Sequence, residues 1–329
     1  MDQLIKKIEN AGWAERTVKA RISLVKSLKE KLDPSGNSID CLKDFNKVSK
    51  SLLDSTSNPS SRKTKILTIK SILALVDVKA SMKYENLVHT LIDSNDEYKG
   101  NNLVKDKDKW ITFDEVKLIP SGLAEDIVYI YKKLFLDNDE IDALKSKWAK
   151  FKYLRLLTEF MITVVYCWLP PVRADWAVVS LNTSKTVNYY DHRKGLINWN
   201  DFKNIKSFGK RSFRLKDQYK IVENDIQDLM DEYIGVLEYL VPNPKWLFYL
   251  VGRDTITEFN RERFAIYFTR IMKNTTGKAL TINTFRHVFE QHIITDKDYH
   301  SMTINQKKEI HEQLLHKIGT AQEYLVVDG

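Results

Sequence analysis

Four short stretches of the chain carry residue types that together could handle a phosphate ester. In chain order they are PPVRAD (170–175), the basic run FKNIKSFGKRSFRL (202–215), NTFRH (283–287) and LLHKIGTAQEY (314–324). An arginine guanidinium binds phosphoryl oxygens through paired, charge-assisted hydrogen bonds, and a lysine or a histidine can transfer a proton. A tyrosine hydroxyl can act as a nucleophile. The set suggests phosphoryl transfer if the fold brings the stretches together.

Each stretch taken alone has an ordinary explanation. An arginine after a helix is usually a surface residue, and the basic run, with Asp217 as the only acidic residue of 202–220, is typical of a solvated face. His316 could complement a helix dipole, and Tyr324 could simply pack. The functional interpretation therefore depends on the order and spacing of all four stretches.

The composition favours an anionic partner and excludes several classes of site. The net charge of +8 and the pI of about 9.1 are typical of a protein that binds nucleic acid. The seven histidines and two cysteines show no metal-ligand spacing, and there is no glycine-rich phosphate loop, so we predict no metal and no cofactor. Cys41 and Cys167 offer no disulfide framework, which indicates a reducing, intracellular compartment.

The first hundred residues have the apolar spacing of several short helices separated by polar breaks. One helix should end at Leu32, before Asp33-Pro34, and another should run from about Ile39 to Leu53. A helix from about Tyr84 to Ile92 leads into a polar segment. We therefore predict a boundary near residue 107, with domains 1–107 and 108–329.

The remainder of the chain mixes helices with short strands. Residues 113–169 look helical, and the apolar run 160–169 is half the ~20 residues that span a bilayer, so it predicts a buried helix that ends at Pro170-Pro171. Strands are predicted at 176–181, 186–190, 196–202 and 211–215, and helices at 221–240, 260–273, 281–294, 303–316 and 320–325. The fold class is α+β, mainly α, with a small antiparallel sheet.

In order and spacing the four stretches resemble the tyrosine recombinases, the phage-integrase family. That family uses an arginine after a buried helix, a lysine on a β-hairpin, an H-x-x-R box, and a histidine or tryptophan eight or nine residues before a tyrosine. The resemblance covers roughly 108–329, and it implies a helical, SAM-like core-binding domain before the catalytic domain. The spellings PPVRADW and GTAQEY are most similar to enzymes of eukaryotic DNA viruses, virophages and related mobile elements.

The resemblance implies a role for one residue of each kind. Tyr324 would attack the scissile phosphodiester to form a 3′-phosphotyrosine, and Arg173 and Arg286 would clamp its oxygens. His316 would contact a phosphoryl oxygen or help to deprotonate the tyrosine. Lys203 would protonate the leaving 5′-oxygen, and the alternative Lys206 stays open.

Further residues are assigned supporting roles, and some positions depart from the family pattern. Those expected to support catalysis or contact phosphate and DNA are Asp175, Asn283, His287, Lys210, Arg211 and Arg214. Asn283 occupies the first position of the H-x-x-R box, and Leu315 replaces the usual glycine before the histidine. The sequence after Tyr324 is also short for the C-terminal docking that many relatives use.

The resemblance also implies partners and a setting. We expect double-stranded DNA with inverted half-sites, a homotetramer on that DNA, no membrane, and integration or excision of a viral or mobile element. The setting would be the nucleus or a viral factory of an infected cell. Two alternatives stay open, a type IB topoisomerase-like relaxation enzyme and a catalytically inactive DNA-binding relative, which Asn283 and the short tail favour.

Overall fold

The computed structural model of the chain describes residues 1–34, 39–85, 110–134, 147–218 and 225–316. The chain separates into two compact units, Met1–Asp106 and Lys107–Gly329, and the described part of each unit has its own hydrophobic core.

The described part of the first unit consists of short amphipathic helices. They are α1 (Asp2–Glu9), α2 (Glu15–Leu32), α3 (Asp40–Lys43), α4 (Phe45–Ser55), α5 (Pro59–Leu73) and α6 (Val78–Met82). The end of α2 at Leu32 is as predicted, but the single helix expected from Ile39 to Leu53 is divided. Asp44 interrupts it because its side chain accepts a hydrogen bond from the Lys47 amide and so caps the start of α4.

The second unit is also mainly helical in its described part. Its helices are α7 (Phe113–Leu134), α8 (Lys147–Cys167), α9 (Ile205–Phe208), α10 (Ile226–Leu240), α11 (Arg261–Thr276), α12 (Ile282–Thr295), α13 (Lys297–Ser301) and α14 (Ile304–Gln313). The apolar end of α8 is almost entirely buried, which confirms the prediction of a core helix. No helix among the described residues is long and apolar enough to cross a membrane.

Two small antiparallel sheets complete the second unit. The first has the order β1 (Tyr189–Asp191), β2 (Leu196–Trp199) and β3 (Arg211–Arg214). The second pairs β4 (Tyr249–Val251) with β5 (Ile256–Glu258). A mainly helical chain with small antiparallel sheets is the composition that the sequence predicts.

Two of the predicted strands need correction. Of the run at 176–181, only Ser180 forms β-bridges, to Tyr189 and Trp246. The start of the run lies in a 3₁₀ helix, Ala174–Val178, in which three consecutive side chains are buried, whereas a half-buried strand would bury alternate ones. Trp176 explains this, since its ring packs edge-on against that of Trp199 at 5.1 Å. The strand predicted at 186–190 is limited to Tyr189–Asp191 and forms later in the chain.

The basic hairpin also differs from its prediction. β2 pairs with β3 in a register that places Trp199 opposite Arg211, so residues 200–210 form the connection between the strands. The strand predicted at 196–202 therefore ends at Trp199. The short helix α9 occupies the connection, and Gly209 follows it at φ 68°, a left-handed conformation that glycine adopts without strain. The predicted helices at 84–92 and 320–325 lie wholly or mostly outside the described residues.

Candidate functional site

The segment that carries Arg173 is fixed to the end of α8. Pro170 and Pro171 stop the helix, and the Tyr166 hydroxyl of α8 donates a hydrogen bond to the Arg173 carbonyl at 2.7 Å. Arg173 is half-buried, and its guanidinium has no hydrogen-bond or ion-pair partner among the residues that the structure describes. Its backbone is thus held in place, and its guanidinium, which forms no ion pair with a described residue, can bind an anion.

Asp175 forms part of a buried ion pair rather than facing an open site. Its carboxylate, 4% exposed, accepts from Arg261 Nε at 3.0 Å. Burial raises the pKa of Asp175, and the charges of Arg261, Arg173 and Arg286 offset only part of this increase. Both predicted clamp arginines therefore lie close enough to act on the same carboxylate.

Arg261 joins the Arg173 segment to the loop that carries the predicted lysines. Besides contacting Asp175, it donates from Nη2 to the Asp201 carbonyl at 2.8 Å and to Asp201 Oδ2 at 3.0 Å. Asp201 lies two residues before Lys203. One guanidinium therefore fixes the start of the basic connection relative to the segment after α8.

The helix α12 presents its arginine towards the protein interior. Thr281 and Thr284 form a capping box that starts the helix, and the first turn leaves Asn283 exposed. Arg286 lies on the buried face, and His287 is half-buried beside it. The Asn283 amide is therefore displayed on the surface and is not part of the buried cluster.

Arg286 connects three of the four stretches. Its Nη1 donates to the Pro171 carbonyl at 2.6 Å and to the Leu314 carbonyl at 3.2 Å, and its Nη2 lies 3.2 Å from His316 Nδ1. The side chain is 1% exposed. Pro171, 115 positions before Arg286, and Leu314 and His316, 28 and 30 positions after it, thus meet at one buried guanidinium.

His316 is positioned by the way α14 ends. The His316 amide donates to the His311 carbonyl and the Leu315 amide donates to the Glu312 carbonyl, which is the hydrogen-bond pattern of a Schellman motif. Leu315 has φ 55° in this motif, a left-handed conformation that favours glycine. Leucine thus occupies a left-handed position that glycine would adopt without strain.

A buried glutamate, Glu290, contacts two histidines. No pattern in the sequence had indicated this residue. Glu290, His311 and His316 are all completely buried. His311 Nδ1 lies 3.2 Å from Glu290 Oε2, and His316 Nε2 contacts Glu290 Oε1 directly. Tyr299 completes the cluster, its hydroxyl 2.8 Å from His311 Nε2.

The electrostatics of this cluster favour an ionised Glu290 and a neutral His316. Burial alone would raise the pKa of Glu290, but hydrogen bonds from His311 and His316 outweigh it and lower the pKa to about 2. Burial lowers the pKa of His316, with Glu290 opposing the shift and Arg286 adding to it. Arg286 and Glu290, one turn apart on α12, are then the two compensating charges.

The predicted lysines of the basic connection and Arg214 of β3 lie on the surface. Lys203 is in the turn before α9 and Lys206 is within α9, and both are exposed. Lys210 donates to the Lys185 carbonyl, and Arg214 is exposed at the end of β3. The geometry of the described residues does not favour Lys203 over Lys206.

Arg211 links the sheet to the helix that precedes His316. Its Nη2 lies 3.4 Å from Glu312 Oε1 on α14, and both side chains are mostly buried. The hairpin and the end of α14 are therefore adjacent. Tyr324 lies outside the described residues, so its prediction as nucleophile stays a prediction.

Three residues of this arrangement were missed by sequence reasoning: Arg261, Glu290 and His311. Glu290 could have been found, since it occupies a buried position of an amphipathic helix four residues after Arg286, and a buried carboxylate needs partners. His311 and Arg261 had no comparable indication, because their importance depends on tertiary contacts.

Comparison with known proteins gives little that bears on these observations. No protein-family model matches the chain, and no curated protein matches it. The chain is similar to a solved structure titled "Crystal structure of XerA recombinase" over 98% of this chain and 95% of that chain, at 12% sequence identity and a TM-score of 0.35. Values this low carry no argument about fold or function.

Proposed function

We propose that this chain is a tyrosine-type site-specific DNA recombinase, which cleaves and rejoins DNA through a 3′-phosphotyrosine on Tyr324. One observation carries the proposal. Arg286 contacts the Pro171 carbonyl, two residues before Arg173, and also the His316 ring. Three of the four stretches, which the sequence relates only through their order along the chain, are thus joined by direct contacts.

This convergence is difficult to attribute to an incidental surface arginine. An arginine that is 1% exposed has lost its hydration, and this cost is compensated only when its donors find acceptors and its charge finds a counter-charge. Arg286 has two carbonyls, a histidine nitrogen and the nearby Glu290 carboxylate. The chain therefore supports this guanidinium with an extensive set of polar groups.

The proposed chemistry conserves the energy of the phosphodiester. The Tyr324 oxygen forms a bond to phosphorus, the bond from phosphorus to the 5′-oxygen breaks, and the tyrosine proton passes to solvent water. Lys203 or Lys206 supplies a proton to the leaving 5′-oxygen. Arg173 stabilises the charge on the phosphoryl oxygens, for which the planar guanidinium is better suited than an ammonium group. Rejoining reverses these steps, so no ATP is consumed.

The two arginines have different accessibility, and the proposal assigns them different parts. Arg173 is half-buried and unpaired among the described residues, so it can contact a phosphate directly. Arg286 donates to protein acceptors. Direct contact of Arg286 with a phosphate requires that one of these carbonyls be exchanged for a phosphoryl oxygen when DNA binds.

The finer features of the proposal rest on the resemblance. Residues 1–107 would form a core-binding DNA-binding domain and residues 108–329 the catalytic domain. Four protomers would assemble on double-stranded DNA with inverted half-sites, to integrate or excise a viral or mobile element. The enzyme would then act in the nucleus or in a viral factory.

The burial of Arg286 also favours a second candidate, a catalytically inactive relative that binds DNA. In that case the buried cluster would be a structural remnant, and Asn283 would mark the loss of a proton-transferring histidine. Such a protein would bind duplex DNA in a salt-dependent manner but form no covalent adduct.

A trapping assay tests the proposal. The wild-type chain is incubated with a random-sequence library of nicked duplexes, in which cleavage releases a short 5′-hydroxyl fragment and traps the enzyme on DNA. We expect a covalent adduct that Tyr324→Phe abolishes and that the matched control Tyr239→Phe, at an exposed tyrosine of α10, retains. Binding without any adduct would favour the inactive relative.

A further inference from the structure

We propose that Glu290 is a positioning residue: its side-chain oxygen accepts a hydrogen bond from His316 Nε2, and this contact holds the His316 ring, and with it the Arg286 guanidinium, in place. The contacts stand independently of what the protein does. Only their importance for DNA cleavage rests on the proposed function.

The proton on His316 follows from its two neighbours. Arg286 Nη2, 3.2 Å from His316 Nδ1, can only donate a hydrogen bond, so Nδ1 must accept and carries no proton. A neutral ring then carries its proton on Nε2, which contacts Glu290 Oε1. An ionised carboxylate can only accept, so this contact is satisfied in the same tautomer.

The same reasoning fixes His311. Its Nδ1 faces the Glu290 carboxylate and must donate, which leaves Nε2 to accept from the Tyr299 hydroxyl at 2.8 Å. Every described contact is therefore consistent with one protonation pattern. Arg286 and Tyr299 donate to the two rings, and both rings donate to Glu290.

A carboxylate suits the centre of this cluster better than an amide. Two ring N–H groups point at Glu290, and a glutamine would oppose one of them with its own N–H₂ donor. The amide would face His311 in preference to His316. His311 can move its proton to Nε2 because the Tyr299 hydroxyl can reverse and accept, whereas Arg286 cannot accept from His316.

A metal ion is the competing explanation, since among the described residues Glu290, His311 and His316 form a group with suitable donors. A cation bound to His316 Nε2 would require that nitrogen to be deprotonated. The ring proton would then sit on Nδ1 and oppose the Arg286 donor. The contact between His316 and Arg286 therefore favours direct hydrogen bonding to Glu290.

The experiment reads the histidine tautomers by ¹⁵N NMR in the free, full-length protein, with His316→Gln used to assign the His316 signal. We expect Nε2–H on His316 and Nδ1–H on His311 in the wild type. Glu290→Gln should move the proton of His311 to Nε2 and leave His316 unchanged, and the exposed control Glu309→Gln should change neither. This readout needs neither DNA nor activity.

Single-turnover adduct formation provides the functional measurement. Glu290→Ala should reduce the cleavage rate by about 10–100-fold, the usual cost of losing a residue that orients a reacting one, while DNA affinity stays within about threefold. Glu290→Gln should cleave faster than Glu290→Ala, at a rate closer to that of the wild type. If Glu290→Ala does not fold, the tautomers of the wild type and of Glu290→Gln still test the proposal.

Three results would overturn it: a proton on His316 Nδ1 in the wild type, wild-type cleavage by folded Glu290→Ala, or stoichiometric zinc in the purified protein with both rings shifted by its removal. If the wild type gives the expected tautomers but no adduct on any DNA, the proposed function fails and the positioning role of Glu290 remains.

Discussion

Arg286 Nη2 lies 3.2 Å from His316 Nδ1, and this contact joins α12 to the turn that follows α14, between residues 30 positions apart in the chain. Both side chains are almost completely buried. Neither residue is available to solvent in this arrangement, so their first effect is on each other. Arg173, on the neighbouring segment, is half-buried and is therefore the more accessible of the two proposed clamp arginines.

Replacement of Arg173 should separate catalysis from binding. Arg173→Ala and Arg173→Lys should each reduce the single-turnover cleavage rate by at least about 100-fold, because an ammonium cannot reproduce the paired hydrogen bonds of the guanidinium. DNA affinity should fall by less than about tenfold, since many other phosphate contacts contribute to that affinity. The exposed control Arg193→Ala should cleave at the wild-type rate. Equal losses of affinity and rate would show that Arg173 only binds DNA.

Removal of Arg261 should destabilise the second unit. Arg261→Ala leaves the buried Asp175 carboxylate without its ion-pair partner, and we expect a loss of about 1–3 kcal/mol, less than for a fully buried pair because Arg261 is 40% exposed. Urea unfolding measures this free energy. Adding Asp175→Asn should recover part of the loss, because the unpaired charge is then removed. A double variant less stable than Arg261→Ala would contradict this explanation.

The left-handed backbone at Leu315 predicts an unusual order of stability. Leu315→Ala and Leu315→Gly both lose a side chain that is 3% exposed, so both should be less stable than the wild type. Only glycine relieves the strain at φ 55°, and we expect Leu315→Gly to be more stable than Leu315→Ala by about 1 kcal/mol. The opposite order in urea unfolding would show that this conformation is not retained.

The stability of the protein should fall on mild acidification. Burial lowers the pKa of His316 below the ~6.5 of an unfolded histidine, so the unfolded chain binds the proton first as the pH drops. The stability of the folded protein is therefore highest above about pH 6.5 and falls as the pH drops below that value. Because the pKa of Glu290 is about 2, this carboxylate stays ionised between pH 7.5 and 5.5.

Urea midpoints at pH 7.5 and 5.5 measure this effect. The wild type should be less stable at pH 5.5, and His316→Gln should show a smaller difference. His292, whose pKa is also lowered by burial, is retained in both proteins, so the comparison isolates His316. An equal pH dependence in the two proteins would contradict a buried, neutral His316.

Helices with a clear local cause were predictable from the sequence. The long apolar run of α8 and its stop at Pro170-Pro171 follow from local sequence, as does the amphipathic helix that carries Arg286. The 3₁₀ helix at Ala174–Val178 was not predictable, because the packing of Trp176 against a residue of β2 decides it. The strands β4 and β5, three residues each, are too short for a periodic pattern to reveal.

The candidate site also combines features that local sequence predicts with features that only tertiary packing decides. The arginines and His316 were identified by spacing, and Arg286 and His316 do meet. The contacts that hold them depend on tertiary packing, since Glu290 contacts His316 and Arg261 contacts Asp175 across long sequence separations, and no local pattern encodes such pairs. Sequence reasoning thus identified candidate reacting groups but not their supports.

The attachment site in a trapped DNA adduct tests the central claim most directly. The adduct is digested with nuclease and trypsin, and the nucleotide-modified peptide is identified by mass spectrometry. The account predicts that the modified peptide begins at Ile318, after Lys317, and carries the phosphate on Tyr324. A phosphate on any other tyrosine, or no modified peptide from an assay that traps a known recombinase, would contradict it.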